Sequence, residues 1–227
     1  AFSVRNMGPG AVNDFLGVFD KDMPTVNAKR ILEVVNMLGN GDNIVEMLAK
    51  LLKHYNVEIK LAALGALSEA NNENAGGIII SAVTDHDSRV KKESVRLLSK
   101  VKYTGSIEPL LKEIAVRGVF DRSVEDADLQ AEICTALGRL KNPAAIPYLA
   151  EAAGPGGLLK LKKAKPMHVR IAAVYALGNF KTHETGGKLA ELAETGDAAV
   201  RNAAMDALAK QKNAAGKRHS MIGRTLL

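Results

Sequence analysis

Tryptophan is absent from the 227-residue chain, cysteine occurs once, and aromatic residues make up only 4% of it. A single thiol, Cys134, cannot close an intramolecular disulfide, so packing alone must hold the fold, and a reducing compartment, the cytoplasm, is the expected setting. Scarce aromatics leave little surface for stacking on bases, which weighs against base-specific recognition of nucleic acid. No apolar run approaches the roughly 18 residues of a membrane-crossing helix, so no membrane span is expected. The opening AFSVRNMGPG offers neither the basic region nor the apolar core of a secretory signal.

Signatures of catalysis are missing as well. Neither GxxxxGK[ST] nor GxGxxG occurs to cradle a phosphate, and neither GxSxG nor HExxH sets a nucleophile or a metal beside a base. The five histidines, His54, His86, His168, His183 and His219, have no short metal-ligand spacing, and Cys134 has no cysteine partner. Cys134 falls on the apolar face of a helical stretch and is read as a small core residue. No metal and no cofactor are expected.

What is present is repetition. The phrase VRIAAVYALGNF at 169–180 returns as VRNAAMDALAKQ at 200–211, and with Val169 as position zero six copies begin at Arg30, Ile59, Val90, Leu129, Val169 and Val200, at intervals of 29, 31, 39, 40 and 31 residues. Position five is apolar in all of them (Val35, Leu64, Val95, Cys134, Val174, Met205), and position eight is always leucine (Leu38, Leu67, Leu98, Leu137, Leu177, Leu208). Position nine is small: Gly39, Ser68, Ser99, Gly138, Gly178, Ala209. At 100° per residue, positions zero, four, five and eight share one arc, so each copy predicts an amphipathic helix. Three residues before position zero stand Asn27, Asn56, Asp87, Asp126, Pro166 and Asp197, five capping residues and one first-turn proline. Between copies run further segments of helical period, such as NIVEMLAKLLKHY (43–55) and PAAIPYLAEAA (143–153). Each unit therefore reads as helix A, turn, helix B, and neighbouring hairpins must stack to bury their apolar faces. The expected fold is all-α, a right-handed α-solenoid of about six hairpins, near 9–39, 43–70, 74–101, 105–140, 143–180 and 183–212. Residues 213–227 are expected to be a basic tail or the start of a further helix.

VRIAAVYALG, VRNAAMDALA, LQAEICTALGRLKNPAAIPYLAEAA and the helix A prolines Pro109 and Pro147 resemble the HEAT-repeat family, including the HEAT-like repeats of phycobilin lyases. The resemblance spans nearly the whole chain, with Arg30 standing where an aliphatic residue is usual. It implies the solenoid, and it is compatible with scaffolds, adaptors, lyase subunits, glycosylases and hydroxylases. The family's hydroxylases bind iron through repeated His-Glu pairs; this chain has one such pair, His183 and Glu184, and that activity is not expected. The family's basic residue after position zero is matched by Lys60, Lys91, Arg170 and Arg201, whereas Ile31 and Gln130 break the series. A cation in the first turn of a helix opposes its dipole, so carboxylates among Asp85, Asp87, Asp126, Asp128 and Asp197 should hold these residues in a ladder between repeats.

Two intervals are long because of insertions between helices A and B: RGVFDRSVEDAD (117–128) and GPGGLLKLKKAKPMH (154–168). Equivalent insertions in adjacent repeats should project from one edge, where arrays commonly bind. The first is acidic and the second carries Lys160, Lys162, Lys163, Lys165 and His168, the expected partner-binding residues. With a net charge of +6, the chain is expected to act as a non-catalytic scaffold or adaptor for a protein with an acidic surface. Nonspecific binding to the phosphate backbone of nucleic acid is the alternative, and a lyase- or glycosylase-like enzyme the third.

Overall fold

The computed structural model describes residues 23–38, 42–70, 73–101, 103, 105, 110, 124–155 and 164–224. Their regular secondary structure is entirely helical, ten α-helices with two short 3₁₀ turns, so the protein is all-α. It divides into two compact units, residues 1–106 and 107–227.

In the first unit, α1 (Thr25–Leu38), α3 (Val57–Glu69) and α5 (Ser88–Lys100) are the B helices, while α2 (Asp42–Leu51) and α4 (Glu73–Ile79, continuing as a 3₁₀ turn over Ile80–Thr84) are A helices. Each B helix packs on the next, α1 on α3 and α3 on α5, and α2 and α4 pack behind them. The second unit repeats the plan. Its B helices are α6 (Val124–Leu140), α8 (Met167–Gly178) and α10 (Ala198–Arg224), and its A helices are α7 (Ile146–Ala153, entered through a 3₁₀ turn at Pro143–Ala145) and α9 (His183–Thr195). Here α6 packs on α8 and α8 on α10, with α7 against α9. The apolar arc forms the core as its periodicity requires: Ile59, Val90, Leu129, Val169 and Val200 at position zero are buried, as are Leu64, Val95, Cys134 and Val174 at position five. Position nine is small because helices nearly touch there. A Cβ on Gly138 would lie 2.6 Å from the Ala176 Cα, and one on Gly178 would lie 3.1 Å from the Ala207 Cβ.

Two expectations are corrected. Helices α3, α5, α8 and α10 all begin two residues before position zero, and since α1 begins at Thr25, its position zero is Asn27 rather than Arg30. Ile31, Leu32 and Val35 then fill positions four, five and eight and are buried, whereas Arg30 is exposed. A slip of three residues turns a helix by only about 60° short of a full turn, so an apolar stripe nearly reproduces itself and the period alone does not fix the register. Pro24 takes the cap position: its carbonyl accepts from the N–H groups of Asn27 (2.9 Å) and Ala28 (3.2 Å), as the Pro166 carbonyl does from Val169 (3.0 Å) and Arg170 (3.1 Å). Asp126 likewise lies inside α6, which starts at Val124, and does not cap it. Asn56 and Asp87 do cap, accepting from the N–H groups of Glu58 and Arg89, both at 2.9 Å. Asp197 accepts from Val200 N–H at 3.2 Å. Residues 198–224 form one continuous helix, so the basic C-terminal stretch prolongs the last B helix.

Candidate functional site: the B-helix face of the second unit

Polar side chains at recurring positions of the B helices form rungs to the next copy, to its B helix or to the segment just before it. At position one, Lys60 Nζ donates to Asp85 Oδ2 at 2.6 Å, and both are largely buried. Arg170, 5% exposed, pairs with Asp197 and donates from Nε to the Ala153 carbonyl. The Arg170 guanidinium holds the Asp197 carboxyl below its ordinary range. Gln130 does not end this ladder: its Oε1 accepts from Lys165 Nζ at 2.8 Å, so the rung survives with its polarity reversed. Lys165, one of the expected binding lysines, is thereby engaged within the fold.

The position before zero carries a second set. Arg89 Nη1 donates to Glu58 Oε1 at 3.1 Å in the first unit, and His168 Nε2 stands 3.5 Å from Asp128 Oδ1 in the second. The latter contact joins the acidic insertion to the basic one. Lys160, Lys162 and Lys163 lie outside the described residues, as do residues 117–123.

Position ten separates the two units. In the first it pairs Glu69 with Lys100. In the second it sets Arg139 beside Asn179, so a carboxylate gives way to a neutral amide. Between α6 and α8 a groove of about 390 Å³ opens, lined by Thr135 from α6 and by Ala172 and Ala176 from α8. Arg139 and Asn179 line it along with His168 and Ile171. Tyr175 forms its wall toward α10, 40% exposed, with Lys210 Nζ 5.0 Å from the ring centroid. Asp206 ties this corner together: it accepts from Lys210 at 2.7 Å, and that bond first, with a further one to Tyr175, lowers the pKa of its carboxyl. Of the groove residues only His168 stands out in the sequence as a binding candidate. The others had a signal of a kind, since polar or aromatic side chains recur at positions six (Thr135, Tyr175) and ten (Arg139, Asn179) of the phrase.

Other reactive groups are occupied structurally. His54 is buried, its Nδ1 accepting from Asn56 N–H at 2.9 Å; Nε2 therefore carries the proton and donates to the Met23 carbonyl at 2.9 Å. Burial raises the Cys134 thiol to about 12, which leaves no thiolate for chemistry at neutral pH. Among the described residues no group of three His, Cys, Asp or Glu side chains is placed to hold a metal ion, and no helix is long and apolar enough to cross a membrane.

No protein-family model matches the chain, and no curated protein does. Similarity is found to solved structures. One is human deoxyhypusine hydroxylase in complex with glycerol, at 16% identity and a TM-score of 0.38, covering 90% of this chain and 96% of that one. Another is an engineered protein, at 19% identity and a TM-score of 0.48, covering 89% and 96%. The expectation of a non-catalytic scaffold or adaptor is corrected here: the first of these structures is that of an enzyme, and neither similarity shows a scaffold role. The scaffold assignment is dropped.

Proposed function

We propose that the second unit binds the phosphate backbone of nucleic acid without reading base sequence. The supporting observation is where the charge resides. Residues 107–227 carry 18 Lys and Arg against 13 Asp and Glu, while residues 1–106 carry 13 against 12. From Ala207 to the C-terminus there is no carboxylate side chain, and five cations, Lys210, Lys212, Lys217, Arg218 and Arg224, stand on or beside the extension of α10. Lys210, Lys217 and Arg224 are seven apart, a spacing that drifts only about 20° per step around a helix and so puts all three on one stripe. Lys160, Lys162 and Lys163 add to the same unit's charge, and phosphate contacts of this kind need no aromatic stacking. The finer architecture belongs to the proposal too: the hairpins are taken as one HEAT-like array, a right-handed α-solenoid working in the cytoplasm, a view the recurring rungs support.

Fluorescence anisotropy with a labelled duplex tests it. Binding should weaken as salt rises, with a slope in log K against log salt of about 0.9 per phosphate neutralised. The combined Lys217→Glu, Arg224→Glu change should lower affinity and reduce that slope by roughly two. Absence of binding at low salt, or a salt-insensitive complex, refutes the proposal, and a preference for polyglutamate over the duplex in the same assay would replace nucleic acid with an acidic polypeptide.

A further inference from the structure

We infer that the chain associates with itself head to tail, α1 of one copy seating on the outer face of α10 of another by the same joint that stacks neighbouring B helices within each unit. The inference goes beyond nucleic-acid binding and does not depend on it.

The internal joint has a fixed pattern of contacts. Position nine of one B helix lies against position seven of the next, Gly138 against Ala176 and Gly178 against Ala207. The residue before position zero meets its counterpart, Glu58 with Arg89 and Asp128 with His168. Positions five and eight are at most 1% exposed in α3, α5, α6 and α8, each of which is followed by a further hairpin.

The last B helix, α10, presents the outgoing half of this joint in the open. Met205 at position five is 55% exposed, Leu208 at position eight is only half-buried, and Ala209 at position nine is exposed and as small as the close approach of another helix requires. The first B helix, α1, presents the incoming half. Val34 at its position seven is half-buried, whereas Leu97, Ala136, Ala176 and Ala207 are buried at that position. Val26, the residue before its position zero, is 61% exposed. Bringing the two halves together removes these aliphatic side chains from water, which supplies the attraction.

A second copy is the occupant because the two ends match each other. Before position zero α10 carries Ala199, and Glu58, Arg89, Asp128 or His168 of an internal hairpin would set a polar group against it; α1 brings Val26, an aliphatic one. A second α10 does not fit, since its own position seven, Ala207, is already covered by α8. Charge agrees at position one. There a cation of one copy meets a carboxylate shortly before the next B helix, as Lys60 meets Asp85, five residues before Val90. On α10 the position-one cation is Arg201, exposed and close enough to Asp197 to help lower its carboxyl, while the Asp197 ion pair goes to Arg170. Five residues before Asn27, position zero of α1, the sequence has Asp22, which lies outside the described residues. Different faces meet in such a contact, so it is heterologous and leaves a free half at each end of the assembly.

Sedimentation velocity of the full chain, freed of nucleic acid, tests this. The average mass should rise with concentration above the 24.2 kDa monomer. Ala209→Glu places a carboxylate on the outgoing half and Val26→Glu on the incoming half, both at exposed positions where circular dichroism should show the fold intact. Each variant alone should stay monomeric, and an equimolar mixture should give a 1:1 dimer and nothing larger, since one intact half of each kind remains. Arg201→Asp and Asp22→Arg should each weaken association at least tenfold, and the two combined in one chain should restore it. A wild-type chain monomeric at every concentration overturns the inference and leaves the end of α10 to a hairpin of another protein. Singly blocked variants that still dimerise, a mixture that stays monomeric, or a double charge reversal no better than either single one overturns it as well. Duplex binding by the α10 stripe is read in a separate assay, so either proposal can fail while the other stands.

Discussion

Lys141 and Lys181 both adopt positive φ, 55° and 54°, each just beyond the end of a B helix and just before the residue that opens the next A segment. An L-residue with a long side chain pays about 1 kcal/mol for this conformation, and glycine does not. Lys181→Gly should therefore raise stability by several tenths of a kcal/mol net of chain entropy, measured by urea denaturation. Gly138 makes the opposite case. Alanine there meets the backbone of α8 rather than a movable side-chain end, so Gly138→Ala should cost about 1–3 kcal/mol. Asp197 adds a pH dependence. Its pKa is lowered from 3.8 by Arg170, so the stability it contributes is present above the ordinary carboxylate pKa and is lost as pH falls through the depressed value. Stability measured between pH 6 and pH 2 should show this fall, and Asp197→Asn should remove that part of it.

At the scale of the helix, the six-fold phrase makes the B helices legible in the sequence, because burial repeats with the period of the backbone. The register read from the phrase holds in α8 even without a side-chain cap and fails in α1. Asn56 and Asp87 anchored α3 and α5, whereas Asn27 and Asp126, of the right residue type in the right place, sit inside helices. Residue type at a cap is a preference that one extra turn overrides, as in α6. The groove was far less legible, since its lining is drawn from two helices, Thr135 and Arg139 on one and Ala172 and Tyr175 on the other, a property of the pair and of neither alone. Met205 shows the same dependence. It holds position five, buried in α3, α5, α6 and α8, yet is 55% exposed. Met205→Lys should change stability by under about 0.5 kcal/mol, while Val174→Lys, the equivalent change in α8, buries an unpaired ammonium and should prevent folding. Circular dichroism of the two variants decides this.

For the molecule as a whole, the repeat gave the fold class and composition the sign of the charge, and the division into two units located it. The first unit sets its own carboxylates against Lys60, Arg89, Arg96 and Lys100 and is nearly neutral, whereas the second carries nearly all of the net +6. Electrostatic steering should follow that asymmetry. A fragment beginning near residue 107 is expected to keep the salt-dependent binding and one ending near residue 106 to lack it, provided each passes a folding check by circular dichroism. The reversed rung at Gln130 and Lys165 has a different kind of consequence. Arrays of this type grow by copying a hairpin, and a copy fits wherever its neighbours offer matching connectors. Here the connectors are keyed. A hairpin bearing an aspartate seats on Lys60 or Arg170, but one bearing Lys165 would set ammonium against ammonium at Lys60, whereas the Gln130 amide accepts it. Within each unit the neighbour a hairpin accepts is thus marked in its joints, and exchanging hairpins would keep the composition while setting unlike partners together.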